Sequence, residues 1–253
     1  MARRYRPTNL PPPFLQRVWL DVDSVKKPDA YPFCLPFLRG GFDLEFNKPI
    51  TIIVGENGAG KSTLLEGIAK LADFDDAGGG KGYRAVDHSH ALEAMGGELA
   101  TALKAAWLPK ITHGWFFRAE SFFSVARYLD ATSRNGPDYL SYSHGEGFLR
   151  FFEECCQDRQ GIFFFDEPES ALSPSRQVVF LKLLHAMQRS RLCQVIMATH
   201  SPMLMAYPHA QLLHLSHAGL RPIVVEETEH FRFMRKFWHR PEAFIKEALA
   251  DVD

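Results

Sequence analysis

The chain has 253 residues, of which 46% are hydrophobic and 23% charged, with 18 glycines and 16 prolines. Those proportions exclude wholesale disorder, collagen-like repeats and low-complexity fibres, and the length can bury a sizeable core without staples. Lys and Arg total 29 against 30 Asp and Glu, a net charge of −1 that gives no support for nucleic-acid binding by the whole chain. Four cysteines, Cys34, Cys155, Cys156 and Cys193, show no metal-ligand spacing, so a reduced, cytoplasmic protein is expected. No run of about 18 apolar residues exists, and direct membrane insertion is not expected. Arg3, Arg4 and Arg6 lead into Pro11-Pro12-Pro13 rather than an apolar segment, which reads as a solvated tail and not a signal peptide.

In chain order, Phe14–Leu20 and Phe42–Phe46 have the aromatic and branched mixture of strands, with turn chemistry between them. Ile50–Val54 is a short, unbroken apolar run and predicts a buried parallel strand. A helix is expected from Ser62 to about Ala72, a flexible loop at Gly78-Gly79-Gly80, and an amphipathic helix over Leu92–Leu108. Gly114–Phe117 reads as a strand, Gly147–Gln157 as a helix, and Ile162–Phe165 as a second fully apolar strand. A helix over Pro174–Arg189 and a strand over Gln194–Thr199 follow, then strands at Gln211–Leu215 and Ile223–Glu226. Helices at Thr228–Trp238 and Pro241–Leu249 close the chain. Alternating strands and helices predict an α/β protein with a mostly parallel central sheet.

Two constellations carry chemistry. Gly55-Glu56-Asn57-Gly58-Ala59-Gly60-Lys61-Ser62 matches G-x-x-x-x-G-K-[ST] between a predicted strand and a predicted helix. There the backbone N–H groups surround phosphate oxygens, Lys61 reaches the β- and γ-phosphates, and the Ser62 hydroxyl is a Mg²⁺ ligand. Thr63 follows directly and is grouped with this nucleotide cradle. In the second, four apolar residues, Ile162–Phe165, carry Asp166 and Glu167 to the carboxyl end of a strand, where open α/β sheets bind ligands. Asp166 is expected to hold Mg²⁺, and Glu167 to polarise the water that attacks the γ-phosphate.

Tyr142-Ser143-His144-Gly145-Glu146, Glu169-Ser170-Ala171-Leu172-Ser173 and Thr199-His200-Ser201 complete an ordered set of motifs. In this order and spacing the chain resembles the head of the ABC-type ATPases, over roughly residues 40 to 215. It looks most like the small bacterial soluble AAA-family ATPases with RecF- or SMC-like heads. The resemblance implies a P-loop NTPase with N-terminal antiparallel strands and a small helical subdomain. One domain, 1–253, would then comprise a core lobe, 1–73 and 160–253, and a helical lobe of about 74–159 with the signature motif. It also implies an ATP-sandwiched homodimer in which Ser143, Gly145 and Glu146 meet the nucleotide held by the partner. His200 falls on the switch histidine, which contacts the γ-phosphate and helps position the attacking water.

Departures from the family pattern are specific. His144 and Glu146 replace a glycine and the glutamine of the usual signature, and Ser173 stands where many members have Asp. No glutamine follows Gly114–Phe117, which leaves Arg118 or Glu120 for the region of the family's Q-loop. Tyr31 and Phe33 precede the phosphate loop, where many heads stack an aromatic on adenine, but core packing is expected of both. His88, His90, His209, His214 and His217 lack metal-ligand spacing. The basic stripe Arg232, Arg235, Lys236, His239 and Arg240 reads as a solvated helix face.

The expected activity is Mg²⁺-dependent ATP hydrolysis by a soluble head, with an unknown protein partner. The stretch from Lys61 to Tyr142 is too short for a long coiled-coil arm, and it carries no heptads. Two other readings remain open: the nucleotide-binding subunit of a transporter with a separate membrane chain, and a non-hydrolytic, nucleotide-dependent interaction module. The altered Q-loop weighs against the first, and Glu167 with His200 against the second.

Overall fold

The computed structural model describes residues 10–75, 78–80, 96–111, 113–118, 147, 149–150, 153 and 159–250. Two sheets organise them. The smaller is antiparallel, with β1 (Leu15–Leu20) between β2 (Asp43–Glu45) and β5 (Leu103–Trp107). The larger has seven strands, in the order β10-β9-β3-β8-β7-β6-β4. Its centre is parallel: β9 (Gln211–Ser216), β3 (Ile50–Val54), β8 (Cys193–Ala198), β7 (Gly161–Asp166) and β6 (Gly114–Arg118). Antiparallel strands β10 (Gly219–Pro222) and β4 (Gly79–Gly80) form the two edges.

The apolar runs are buried on both faces, as a parallel interior requires. Phe163 and Phe165 of β7 join Ile50, Ile52, Val195 and Met197 on one face, while Ile162, Phe164, Ile53 and Ile196 pack on the other. The first face is covered by α3 (Pro174–Ser190), whose Phe180 meets Phe165 edge-on at 5.1 Å. The second is covered by α1 (Lys61–Leu71), through Leu64, Leu65 and Ile68, and α1 also packs on α2 (Gly96–Ala102). A short α4 (Pro202–Met205) follows β8, and α5 (Glu229–His239) and α6 (Pro241–Ala250) end the described chain. No helix among the described residues is long and apolar enough to cross a membrane.

Three expectations from the sequence need correction. The helix expected over Leu92–Leu108 ends at Ala102, and Leu103–Trp107 instead pairs with β1. The alternation of that segment is compatible with either period, and the open edge of β1 decides it. Gly79 and Gly80 are not a loop but strand β4, laid against Trp115 and Phe116. A Cβ at Gly80 would come within 2.8 Å of the Trp115 ring, so glycine permits the close approach. The last strand is Gly219–Pro222, and Val225–Glu227 is a 3₁₀ turn, because a tight turn returns the chain directly against β9. Of the helix expected over Gly147–Gln157 only residues 147, 149, 150 and 153 are described, and all four are helical.

Gln194, buried on β8, joins the two sheets. Its Oε1 accepts the N–H groups of Phe14 and Leu15, both at 2.8 Å, and its Nε2 donates to the Leu15 carbonyl at 3.0 Å. Gln194→Met keeps the volume but strands three buried backbone groups. At about 1–3 kcal/mol for each, a loss of roughly 3 kcal/mol or more is expected in urea unfolding. A loss under about 1 kcal/mol would show that β1 is held by other contacts.

Candidate functional site

The register of the central sheet aligns the chemistry-bearing residues. Ile53 stands opposite Ala198, Ala198 opposite Asp166, and Asp166 opposite Arg118. The loop after β3, the end of β7 and the loop after β8 therefore leave the sheet at one carboxyl edge, where ligands bind in such sheets. Residues far apart in sequence meet there because their strands are neighbours.

The loop Gly55–Gly60 turns β3 into α1. Gly60 has φ 92°, and a Cβ there would lie 2.8 Å from the Phe37 ring, so any other residue would be strained and crowded. Lys61 is buried, and its Nζ donates to the carbonyls of Gly55 (3.1 Å) and Glu56 (2.9 Å). Burial pushes its pKa down against the pull of Glu167, Asp166 and Glu169. Asn57, Gly58, Gly60, Lys61, Ser62 and Thr63 line a cleft of about 490 Å³ that Glu167, His200 and Tyr31 complete. Ala59 instead packs against the apolar cluster around Phe37. Tyr31 corrects the expectation of core packing: it is 41% exposed, and its hydroxyl meets Thr63 Oγ1 at 2.5 Å. Phe33 is partly buried against the core.

Across the cleft floor, Ser62 Oγ donates to Asp166 Oδ1 at 3.0 Å. Burial pushes the Asp166 carboxyl up to about 7, opposed by Arg118 and the Ser62 hydrogen bond. A carboxylate and a hydroxyl in contact are hard oxygen donors, a pair suited to Mg²⁺ with phosphate and water oxygens filling the remaining positions. Arg118 places Nη1 2.8 Å from Glu66 Oε1 and Nε 3.9 Å from Asp166 Oδ2. It thus stands between α1 and β7, whereas Glu120 lies outside the described residues.

Asp166 and Glu167 are adjacent but serve different surroundings. Asp166 ends β7, and Glu167 turns off the strand in a left-handed conformation, φ 47° and ψ 53°. Its Oε1 thereby comes 3.4 Å from His200 Nε2. Burial, with Lys61 and His230 nearby, lowers the His200 pKa to about 4, so the imidazole is neutral at pH 7. Glu169 was not foreseen as a site residue. Its carboxylate accepts the Thr199 hydroxyl (2.7 Å) and the His200 N–H (2.5 Å), and so fixes the backbone that presents the histidine. Nothing in its spacing could have shown this, since the contact joins the segments after two different strands.

The signature residues Ser143, His144, Gly145 and Glu146 lie outside the described residues. His214 and His217 line a second cavity of about 380 Å³, which shares Asn57 and Gly58 with the cleft. No cluster of three or more His, Cys, Asp or Glu suited to a metal ion occurs among the described residues.

Two stretches of the chain match known family models. Residues 34–92 match a family model described as "AAA domain", and residues 121–206 one described as "AAA domain, putative AbiEii toxin, Type IV TA system". No curated protein matches the chain. Among solved structures, one described as "a putative metal-chelate type ABC transporter" in an inward-facing conformation is 18% identical, with 86% of this chain and 87% of that one covered and a TM-score of 0.45. The SMC head domain from Thermotoga maritima is 15% identical, covering 83% and 99%, with a TM-score of 0.48. The cbiO1 protein of Clostridium perfringens, part of the ABC transporter complex cbiONQ, is 14% identical, covering 82% and 91%, with a TM-score of 0.41. The two AAA-domain matches cover the segments that carry Lys61 and Ser62 and, further along the chain, Asp166, Glu167 and His200.

The neutral His200 has a consequence for stability. Its pKa of about 4 in the folded chain lies below the 6.5 of a free histidine, so the unfolded state takes up a proton first. Stability from this group is therefore present above about pH 6.5 and lost as pH falls toward 4. His200→Gln is expected to lose less melting temperature than the parent between about pH 7.5 and pH 5. Equal losses in both proteins would contradict a neutral, half-buried imidazole.

Proposed function

We propose that the cleft binds ATP with Mg²⁺ and hydrolyses it, and that two copies of the chain sandwich the nucleotide. The observation that carries this is the convergence of Lys61, Ser62, Asp166, Glu167 and His200 on one cleft at one sheet edge. In this reading Lys61 exchanges its two loop carbonyls for the β- and γ-phosphate oxygens, and the loop N–H groups hold the remaining phosphate oxygens. Ser62 and Asp166 hold the metal. Bound Mg²⁺ supplies neutralisation of the charge that develops on the phosphates.

The rest of the chemistry belongs to the chain. Glu167, the more exposed of the two carboxylates, accepts a proton from the attacking water. His200 donates from Nε2 and holds Glu167 and the γ-phosphate in register. Tyr31, beside Thr63 at the rim, offers a ring face to the adenine. Ser143, Gly145 and Glu146 of the signature complete the site from the second copy. ATP then links the two copies, because its binding energy is available only when both halves of a site are present.

Glu167→Gln removes the proton acceptor and keeps the shape. ATP affinity is expected to persist while turnover falls roughly a hundredfold or more. Sedimentation of that variant with ATP and Mg²⁺ should show a dimer that dissociates when nucleotide is removed. Turnover at the parental rate, or a strict monomer with ATP bound, would remove the hydrolytic or the sandwich part of the reading respectively.

A further inference from the structure

His200 has a second partner that the ATPase reading does not use. Its Nδ1 lies 2.8 Å from Nε2 of His230, and the two rings are 4.8 Å apart between centroids. His230 belongs to the first turn of α5, well outside the aligned sheet edge in sequence. That turn is firmly placed. Thr228, buried at the N-cap, donates its hydroxyl to the Val225 carbonyl at 2.7 Å and accepts the Phe231 N–H at 3.3 Å. Arg232 Nε adds a bond to the Glu226 carbonyl at 3.2 Å.

We propose that His230 is the positioning residue for His200, donating from Nε2 to His200 Nδ1 and so fixing the tautomer in which His200 Nε2 carries the proton. The inference rests on the hydrolytic reading of the cleft for its effect on turnover, but the contact itself does not. Two arrangements of the shared proton are available. If His200 Nδ1 held it, a bare Nε2 lone pair would face the Glu167 carboxylate at 3.4 Å, an arrangement of two acceptors. If His230 holds it, each contact in the chain from His230 through His200 to Glu167 has one donor and one acceptor. Only the second satisfies all three groups.

The surroundings support a chain of neutral rings. Burial lowers both pKa values, and Lys61 lowers them further, while Glu229 and Glu56 pull His230 the other way and His214 adds to the lowering. Two neutral imidazoles have one N–H each, so which nitrogen bears the proton is decided by their contacts. The C-terminal helix thus supplies the hydrogen bond that orients a ring at the nucleotide site. Orienting partners of this kind act through the group they hold, and their removal commonly costs about 10–100-fold.

The test uses the full-length chain labelled with ¹⁵N-histidine, together with His230→Phe and His230→Gln. Phe keeps the ring and removes the donor, whereas the Gln amide nitrogen can occupy the position of His Nε2. In the parent, a through-hydrogen-bond ¹⁵N–¹⁵N coupling between the two rings is expected, with the proton on His230 Nε2. Turnover of ATP is expected to fall roughly tenfold or more in His230→Phe with KM nearly unchanged, and to recover in His230→Gln. A proton on His200 Nδ1, or parental turnover in His230→Phe, would overturn the proposal. A parent that shows the coupling but no ATP turnover would confirm the contact and refute the hydrolytic reading instead.

Discussion

Burying ionisable groups at one sheet edge is the constraint on which the rest of this structure depends. Lys61, Asp166, Glu66, Glu169 and Arg118 all lie in the low-dielectric region between α1 and the ends of β6, β7 and β8. For Lys61, Asp166 and Glu169 the largest effect is burial, which disfavours the charged form of each. The fold offsets this with Ser62 on Asp166, Thr199 and the His200 N–H on Glu169, and two loop carbonyls on Lys61. These partners are dipoles, and Arg118, 2.8 Å from Glu66 and 3.9 Å from Asp166, adds a positive charge beside those two carboxyl groups. A phosphate chain with a divalent cation would add an anion beside Lys61 and a further cation beside Asp166. Ligand binding at this edge would therefore be coupled to stability.

The same constraint explains the placement of the surrounding elements. A buried edge needs both faces of the sheet covered, and α1 and α3 provide that cover over two continuous apolar clusters. Glu169 reaches back from the turn after β7 to the loop after β8, so the two segments that carry Glu167 and His200 are tied to each other. The contact of His230 with His200 extends this to α5. Around α5 the basic residues Arg232, Arg235, Lys236, His239 and Arg240 are exposed, alongside Phe233 and Trp238.

What the sequence made legible follows from how local the physics is. Ile50–Val54, Ile162–Phe165 and Gln194–Thr199 are apolar runs bounded by turn residues, and each forms a central strand as expected. The glycine loop before Lys61 and the Asp166-Glu167 pair are equally local, which is why the cleft could be located from residues alone. Leu103–Trp107 was not legible as a strand, because its partner β1 lies more than 80 positions upstream. Gly79-Gly80 has no side chains with which to announce a strand; only the flat ring of Trp115 explains it. Tyr31, Glu169 and His230 gain their places from contacts between distant segments, and no spacing rule encodes those. Ser143 to Glu146 lie outside the described residues.

The central claim is that this charged edge is a nucleotide cradle organised around Lys61. Equilibrium dialysis of the parent chain and of Lys61→Ala against radiolabelled ATP with excess Mg²⁺ tests it most directly. The account predicts one saturable ATP per parent chain, and loss of that binding in a Lys61→Ala protein that remains folded by circular dichroism. Absence of saturable binding to the parent, or equal affinity in the two proteins, would contradict it.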